Sequence, residues 1–230
     1  MSIVGLGGTG KTQVALQFAY EVKEAQPEWS IFWVPAVSME SFEQACAGIV
    51  QALHIPRRGK EEDDPKELVK QYLSSSRARR WLLVVDNADD PNILFGSEQS
   101  GGIVDYLPES ESGVVVYTTR TLAVAVSLTR SDVLELDAMD RQDATDFLSR
   151  SLIRKELLRD CAMTDKLLDE LTCLPLAIAQ AAAYLNMNRT TITRYLWLLH
   201  NTEQDLVSLV SEEFRDDTRY KGSANAMATT

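Results

Sequence analysis

Residues 5–12 read Gly5-Leu6-Gly7-Gly8-Thr9-Gly10-Lys11-Thr12, a match to G-x-x-x-x-G-K-[ST]. The apolar pair Ile3-Val4 precedes it, and Val14, Phe18 and Val22 follow at i, i+4 and i+8. That order is strand, glycine loop, helix. Glycines let successive backbone N–H groups turn inward and approach an anion closely. The helix start adds unpaired donors and the positive end of the helix dipole. Lys11 has the reach to meet terminal phosphates as a point charge, and the Thr12 hydroxyl suits Mg²⁺. The stretch predicts a phosphate-binding loop at the head of an α/β sheet.

Outward from the loop, further apolar runs lie at residues 31–34, 81–85, 113–117 and 133–136. They are short and continuous rather than alternating, as in strands buried on both faces of a parallel sheet. Phe42, Cys46, Ile49, Val50 and Leu53 form a second helical face after that of Val14, Phe18 and Val22. Leu68, Val69, Tyr72 and Leu73 form a third, opened by Asp64 as cap, Pro65 at the first position and Glu67 in a capping-box-like place. Strands alternating with helices predict a doubly covered α/β sheet.

From Leu136 onward no strand signal appears. Asp140 is placed to cap a helix carrying Ala144, Phe147, Leu148 and Leu152, and Leu167, Leu168 and Leu171 mark the next. Pro175 opens a small-residue helix, and residues 191–199 and 206–210 suggest two more. The expected division is an α/β domain over 1–138, a helical subdomain over 139–210 and a polar tail over 211–230. The run Lys60-Glu61-Glu62-Asp63-Asp64 reads as a solvated loop.

Composition bounds the function. The chain has 230 residues, 45% hydrophobic and 25% charged, which fits a globular protein and excludes collagen-like, low-complexity and disulfide-scaffold classes. Lys plus Arg number 23 and Asp plus Glu 34, a net charge of −11 that disfavours a nucleic-acid polymer as partner. One small anion in a local basic pocket stays compatible with it. Cys46, Cys161 and Cys173 form no CxxC and read as three small buried side chains in a reducing compartment. His54 and His200 lie too far apart in sequence for a zinc site. No apolar run reaches membrane-spanning length and the N-terminus has no signal-peptide pattern, so a cytoplasmic location is expected.

A nucleotide–Mg²⁺ site needs a carboxylate near the strand ends. Trp81-Leu82-Leu83-Val84-Val85-Asp86 supplies Asp86 after four aliphatics, in the position of a Walker B aspartate. Hydrolysis needs a base or a water-positioning group beside the metal. The next residue, Asn87, has no carboxylate, while Asp89 and Asp90 follow close enough for one to swing in. Slow hydrolysis, or none, is therefore expected. A third element of the site is Tyr117-Thr118-Thr119-Arg120, at the end of the apolar run 113–117. It is suited to set Arg120 against a γ-phosphate, or Thr118 against an attacking water.

The set Gly-Leu-Gly-Gly-Thr-Gly-Lys-Thr-Gln (5–13), Leu-Leu-Val-Val-Asp-Asn-Ala-Asp-Asp (82–90), Tyr-Thr-Thr-Arg (117–120) and Cys-Leu-Pro-Leu-Ala (173–177) resembles the NB-ARC (AP-ATPase) domain of STAND-class P-loop NTPases. Ser211-Glu-Glu-Phe-Arg-Asp-Asp is similar to the stretch before the winged helix of fungal NLR-like members, which often carry tetratricopeptide repeats. The resemblance covers nearly the whole chain. It implies a P-loop NTPase three-layer α/β/α sandwich, a five-stranded parallel sheet in the order 5-1-4-3-2, and a small helical subdomain after it. It implies an ADP/ATP-binding signal-transduction switch that is a weak ATPase at most, with nucleotide state controlling assembly.

By the same resemblance Gly5, Gly7, Gly8, Thr9, Gly10, Lys11, Thr12 and Gln13 bind the nucleotide, and Thr12 and Asp86 hold Mg²⁺. Lys11, Asp86 and Arg120 act at the phosphates, Arg120 as γ-phosphate sensor, and Pro175 packs on the adenine. Protein partners and a nucleotide-dependent homo-oligomer are implied, through domains outside the chain. The family's upstream base-contacting segment and winged helix fall outside this sequence, and Cys173 stands where the family has glycine. Two other readings stay open: a multiple-turnover P-loop ATPase, and a truncated interaction module that no longer binds nucleotide.

Overall fold

The computed structural model describes residues 1–56, 64–97 and 100–201. They group into two units: Met1–Gly5 with Lys11–Glu135, and Leu6–Gly10 with the chain from Leu136 onward.

In the first unit β1 (Ser2–Val4), β2 (Ser30–Pro35), β3 (Trp81–Asp86), β4 (Gly113–Thr119) and β5 (Val133–Glu135) form one parallel sheet. The order is β2-β3-β4-β1-β5, which is 5-1-4-3-2 read from the other edge. Helices α1 (Lys11–Ala25), α2 (Met39–Ala52), α3 (Pro65–Leu73), α4 (Pro91–Phe95) and α5 (Leu122–Thr129) cover both faces. The P-loop NTPase sandwich is thus the observed fold.

Continuous apolar runs do mean burial on both faces in β1 and β3, whose residues are all buried. The two edge strands correct that expectation. β2 is mostly half-buried and β5 is largely exposed at the sheet edges, and central β4 is buried over residues 116–119 but not over its first three residues. Trp81 pairs with Gly113 at the start of β3 and β4, and a Cβ on Gly113 would lie 2.0 Å from the indole. The indole N–H donates to Leu73 O at 3.1 Å. This close fit fixes the register that later brings the end of β3 beside Thr118.

Helix α1 corrects a second expectation. Its buried face is Lys11, Ala15 and Ala19, and Val14 is exposed. Alanines allow a helix to lie close on a sheet, so the larger Phe18 and Val22 are left half-buried at the flanks. Helix α2 buries Phe42, Cys46, Ile49 and Val50 as expected, while Leu53 is its half-buried C-cap, and Ser38 and Ser41 form a reciprocal capping box. At α3, Asp64 accepts from Lys66 N–H at 2.9 Å and Pro65 takes the first position. Glu67 does not close a capping box; it accepts from Gln71 Nε2 at 2.9 Å. Helices α4 and α5 were not anticipated.

The second unit holds α6 (Arg141–Ser151), α7 (Cys161–Glu170), α8 (Pro175–Met187) and α9 (Ile192–Asn201). Leu148, Leu152, Leu167, Leu168, Ile178 and Leu185 form its core. Asp140 caps α6 through Asp143 N–H at 2.7 Å, and Asp160 caps α7 through Met163 N–H at 3.1 Å. Between α7 and α8, Thr172 (φ 49°) and Cys173 (φ 51°) are both left-handed. Leu176 N–H at the start of α8 donates to Gly8 O at 3.1 Å, tying the loop residues 6–10 into this unit.

The cysteines are not uniformly buried as expected. Cys46 is buried, Cys173 half-buried, and Cys161 exposed because it opens α7 on the solvent side; all three are free thiols. The expected helix at 206–210, the tail 211–230 and residues 60–63 of the charged run lie outside the described residues.

Candidate functional site

Strands β3, β4 and β1 are neighbours and parallel, so their carboxyl ends open on one edge of the sheet. In open α/β sheets that edge is where ligands bind. Val4 pairs with Thr119, and Gly5 N–H donates to Thr119 O at 3.3 Å as the chain leaves β1. Asp86 ends β3, Thr118 and Thr119 end β4, and Arg120 follows directly after it.

The loop after β1 needs its glycines. Gly8 (φ 87°) and Gly10 (φ 92°) occupy backbone conformations that L side chains rarely adopt. Thr9 is buried and its hydroxyl donates to Leu6 O at 3.0 Å. Lys11 opens α1, is 9% exposed, and donates through Nζ to Gly5 O at 2.9 Å. Burial pushes the Lys11 ammonium below its ordinary pKa; Asp89 and Asp86 act against that shift and Arg120 with it. The first turn of α1 carries no acidic residue of its own, so the positive end of its dipole adds to the Lys11 charge.

Asp86 is fully buried. Its Oδ1 accepts from Thr12 Oγ1 at 3.0 Å and from Thr118 Oγ1. Its Oδ2 is buried with no hydrogen-bond partner among the described residues. Burial raises the Asp86 pKa, and the Thr118 and Thr12 hydroxyls oppose the rise. A bare carboxylate oxygen beside a threonine hydroxyl fits Mg²⁺, which binds through one or two carboxylates plus phosphate and water oxygens. Among the described residues no group of three or more His, Cys, Asp and Glu is placed to hold a metal without such help.

Thr118 does not face outward toward an attacking water. Its hydroxyl donates to Asp86 and accepts from Asn87 N–H at 2.9 Å. Asn87 has φ 59°, a left-handed turn that asparagine tolerates better than most residues. Of the two later aspartates, Asp89 lies close enough for its charge to act on Asp86 and Lys11, while Asp90 is used elsewhere. Asp90 caps α4 through Asn92 N–H at 2.8 Å. Asp89 accepts the Arg120 N–H at 2.7 Å on Oδ1 and lies 3.2 Å from Arg120 Nε through Oδ2.

The family model of the NB-ARC domain matches residues 1–158, which carry this whole strand-end cluster. The chain belongs to the NB-ARC family. A nucleotide-binding leucine-rich repeat (NLR)-like protein of Hyaloscypha variabilis is 37% identical over 100% of this chain and 24% of its own length. The disease resistance RPP13-like protein 4 of Arabidopsis thaliana is 30% identical over 54% of this chain and 14% of its own. The chain thus spans about a quarter or less of these relatives.

Two solved structures show the same fold. Cdc6p from Pyrobaculum aerophilum has a TM-score of 0.52 at 19% identity, covering 81% of this chain and 55% of that one. The Drosophila ORC structure bound to DNA has a TM-score of 0.50 at 15% identity, covering 93% and 63%. No helix among the described residues is long and apolar enough to cross a membrane.

Within this NB-ARC domain the first unit brings together Lys11, Thr12, Asp86, Thr118 and Arg120. Gln13 sits exposed in the first turn of α1. Pro175 is the half-buried first residue of α8, next to the residue bonded to Gly8. Two roles were not read from sequence: Asp89 as the partner of Arg120, and Thr118 as the group that orients Asp86. A hydroxyl at the buried end of β4 was the signal for Thr118; Asp89 stood out as an acid near Asp86, but a salt bridge across 31 positions left no local trace of its partner.

Proposed function

We propose that this NB-ARC domain is an ADP/ATP-binding regulatory switch with slow or no hydrolysis, whose nucleotide state controls assembly. The observation that carries the reading is Asp86: a buried carboxylate oriented by Thr12 and Thr118, with its second oxygen bare, in the electrostatic field of Lys11.

Gly5, Gly7, Gly8, Thr9 and Gly10 present backbone N–H groups to the phosphates, and Lys11 adds a positive charge that little solvent screens. Thr12 and Asp86 hold Mg²⁺, with Gln13 on the same helix turn. The ion, when bound, neutralises phosphate oxygens. Arg120 reads the third phosphate. Pro175 offers a flat apolar face to adenine, and the Leu176–Gly8 bond supports its place beside the loop.

Slow turnover follows from how the nearby acids are used. Asn87 supplies no carboxylate, Asp90 caps a helix, and Asp89 is held by Arg120 as long as no third phosphate draws that side chain away. That arrangement disfavours a multiple-turnover ATPase, since a water-positioning group is worth orders of magnitude in rate. The intact cluster also disfavours an interaction module without nucleotide. A cytoplasmic location, protein partners reached through segments outside this chain, and a nucleotide-dependent homo-oligomer belong to the same reading.

Mass spectrometry of nucleotide released from the purified chain, with its size in ADP and in ATP, tests the switch. Bound adenine nucleotide and a larger species in ATP are expected. Phosphate release near 1 s⁻¹ or faster would mark an enzyme instead.

A further inference from the structure

Four charged side chains share the open edge of the sheet: Lys11, Arg120, Asp86 and Asp89. Asp89 occupies both of its oxygens on Arg120, accepting the backbone N–H at 2.7 Å and facing Nε at 3.2 Å. It is also the largest charge supporting the Lys11 ammonium and adds to the field on Asp86. A carboxylate seated on Arg120 repels any anion drawn to that guanidinium. Arginine is suited to planar, bidentate recognition of carboxylate and phosphate alike, so the two compete for one partner.

We propose that Asp89 acts as a resident competitor for the third phosphate: it holds Arg120 and thereby lowers the preference of the site for ATP over ADP. This rests on the switch reading above. A diphosphate places no group against Arg120 and leaves the clasp in place. A triphosphate must share Arg120 with a carboxylate or displace it. The clasp is half-exposed, with side-chain exposures of 52% for Arg120 and 32% for Asp89, so it is weak enough to open. Asp89 is thus a specificity-setting residue that acts through Arg120, and the α4 cap at Asp90 anchors the segment that presents it.

The test is calorimetric binding of ADP and of the β,γ-imido analogue of ATP, each with Mg²⁺, to the full 230-residue chain. Asp89→Asn keeps the size of the side chain and removes its charge. It is expected to raise the analogue-to-ADP affinity ratio roughly fivefold, the scale of a half-exposed ion pair. In an Arg120→Ala background the same change is expected to leave the ratio unmoved. General damage to the fold would weaken both nucleotides together, so the ratio separates specificity from structure; Asp89→Ser serves as a second, smaller variant.

An unchanged or lowered ratio in Asp89→Asn overturns the proposal, as does a raised ratio that persists without Arg120. If wild-type protein binds neither nucleotide, the switch reading falls along with it. If wild type binds and the ratio does not respond, the competitor role alone falls.

Discussion

Asp86 shows most directly how this sequence trades stability for a site. A carboxylate with no exposure, and one oxygen lacking a partner among the described residues, is an unfavourable group to bury. Its pKa is raised for that reason. Asp86→Asn keeps an acceptor for Thr12 and Thr118 and removes the charge. Without nucleotide, the variant is expected to be more stable by about 1 kcal/mol in urea unfolding. It is also expected to lose the Mg²⁺ dependence of nucleotide binding. Equal stability with intact Mg²⁺ dependence would remove Asp86 from the site. Lys11, Thr12 and Asp86 were legible in the sequence because each belongs to a short contiguous pattern with one chemical reading. The Asp89–Arg120 clasp was not, because its partners are joined by tertiary structure alone.

The turn between α7 and α8 belongs to the scale of elements. Thr172 and Cys173 both sit in the left-handed region, and Cys173 N–H donates to Leu168 O at 3.0 Å to close the helix end. Glycine takes that conformation without the steric penalty of a Cβ, which is the physical reason for the family's glycine here. Cys173→Gly is expected to stabilise the domain by about 0.5–1 kcal/mol, read as a higher urea midpoint; a lower midpoint would mean that the thiol's packing outweighs the strain. Elements with a clear period were legible: α2 and α6 bury most of the residues their spacing marked, with Leu53 and Phe147 half-buried at the margins. Helix α5 was not, since Leu122-Ala-Val-Ala-Val-Ser-Leu-Thr129 is apolar on every side and rich in β-branched residues. Helix α1 misled for another reason. Its largest apolar residues flank the contact, and two alanines make it.

At the scale of the molecule, the sheet order β2-β3-β4-β1-β5 is what joins the motifs. It places strands separated by dozens of residues side by side, so that Gly5, Asp86 and Arg120 leave from one edge. Alternation of strands and helices marked the fold class from sequence, whereas the order itself came with the family resemblance, because strand pairing leaves no local trace. The net charge of −11 argues against a nucleic-acid polymer, yet Lys11 and Arg120 make this edge locally suited to a few phosphates. The central claim is that this edge binds an adenine nucleotide with Mg²⁺. Calorimetric titration of the wild-type chain and of Lys11→Ala with ADP and Mg²⁺ tests it most directly. Saturable binding of one nucleotide per chain is predicted for wild type and no measurable heat for Lys11→Ala; silence from wild type, or equal binding by the variant, would contradict it.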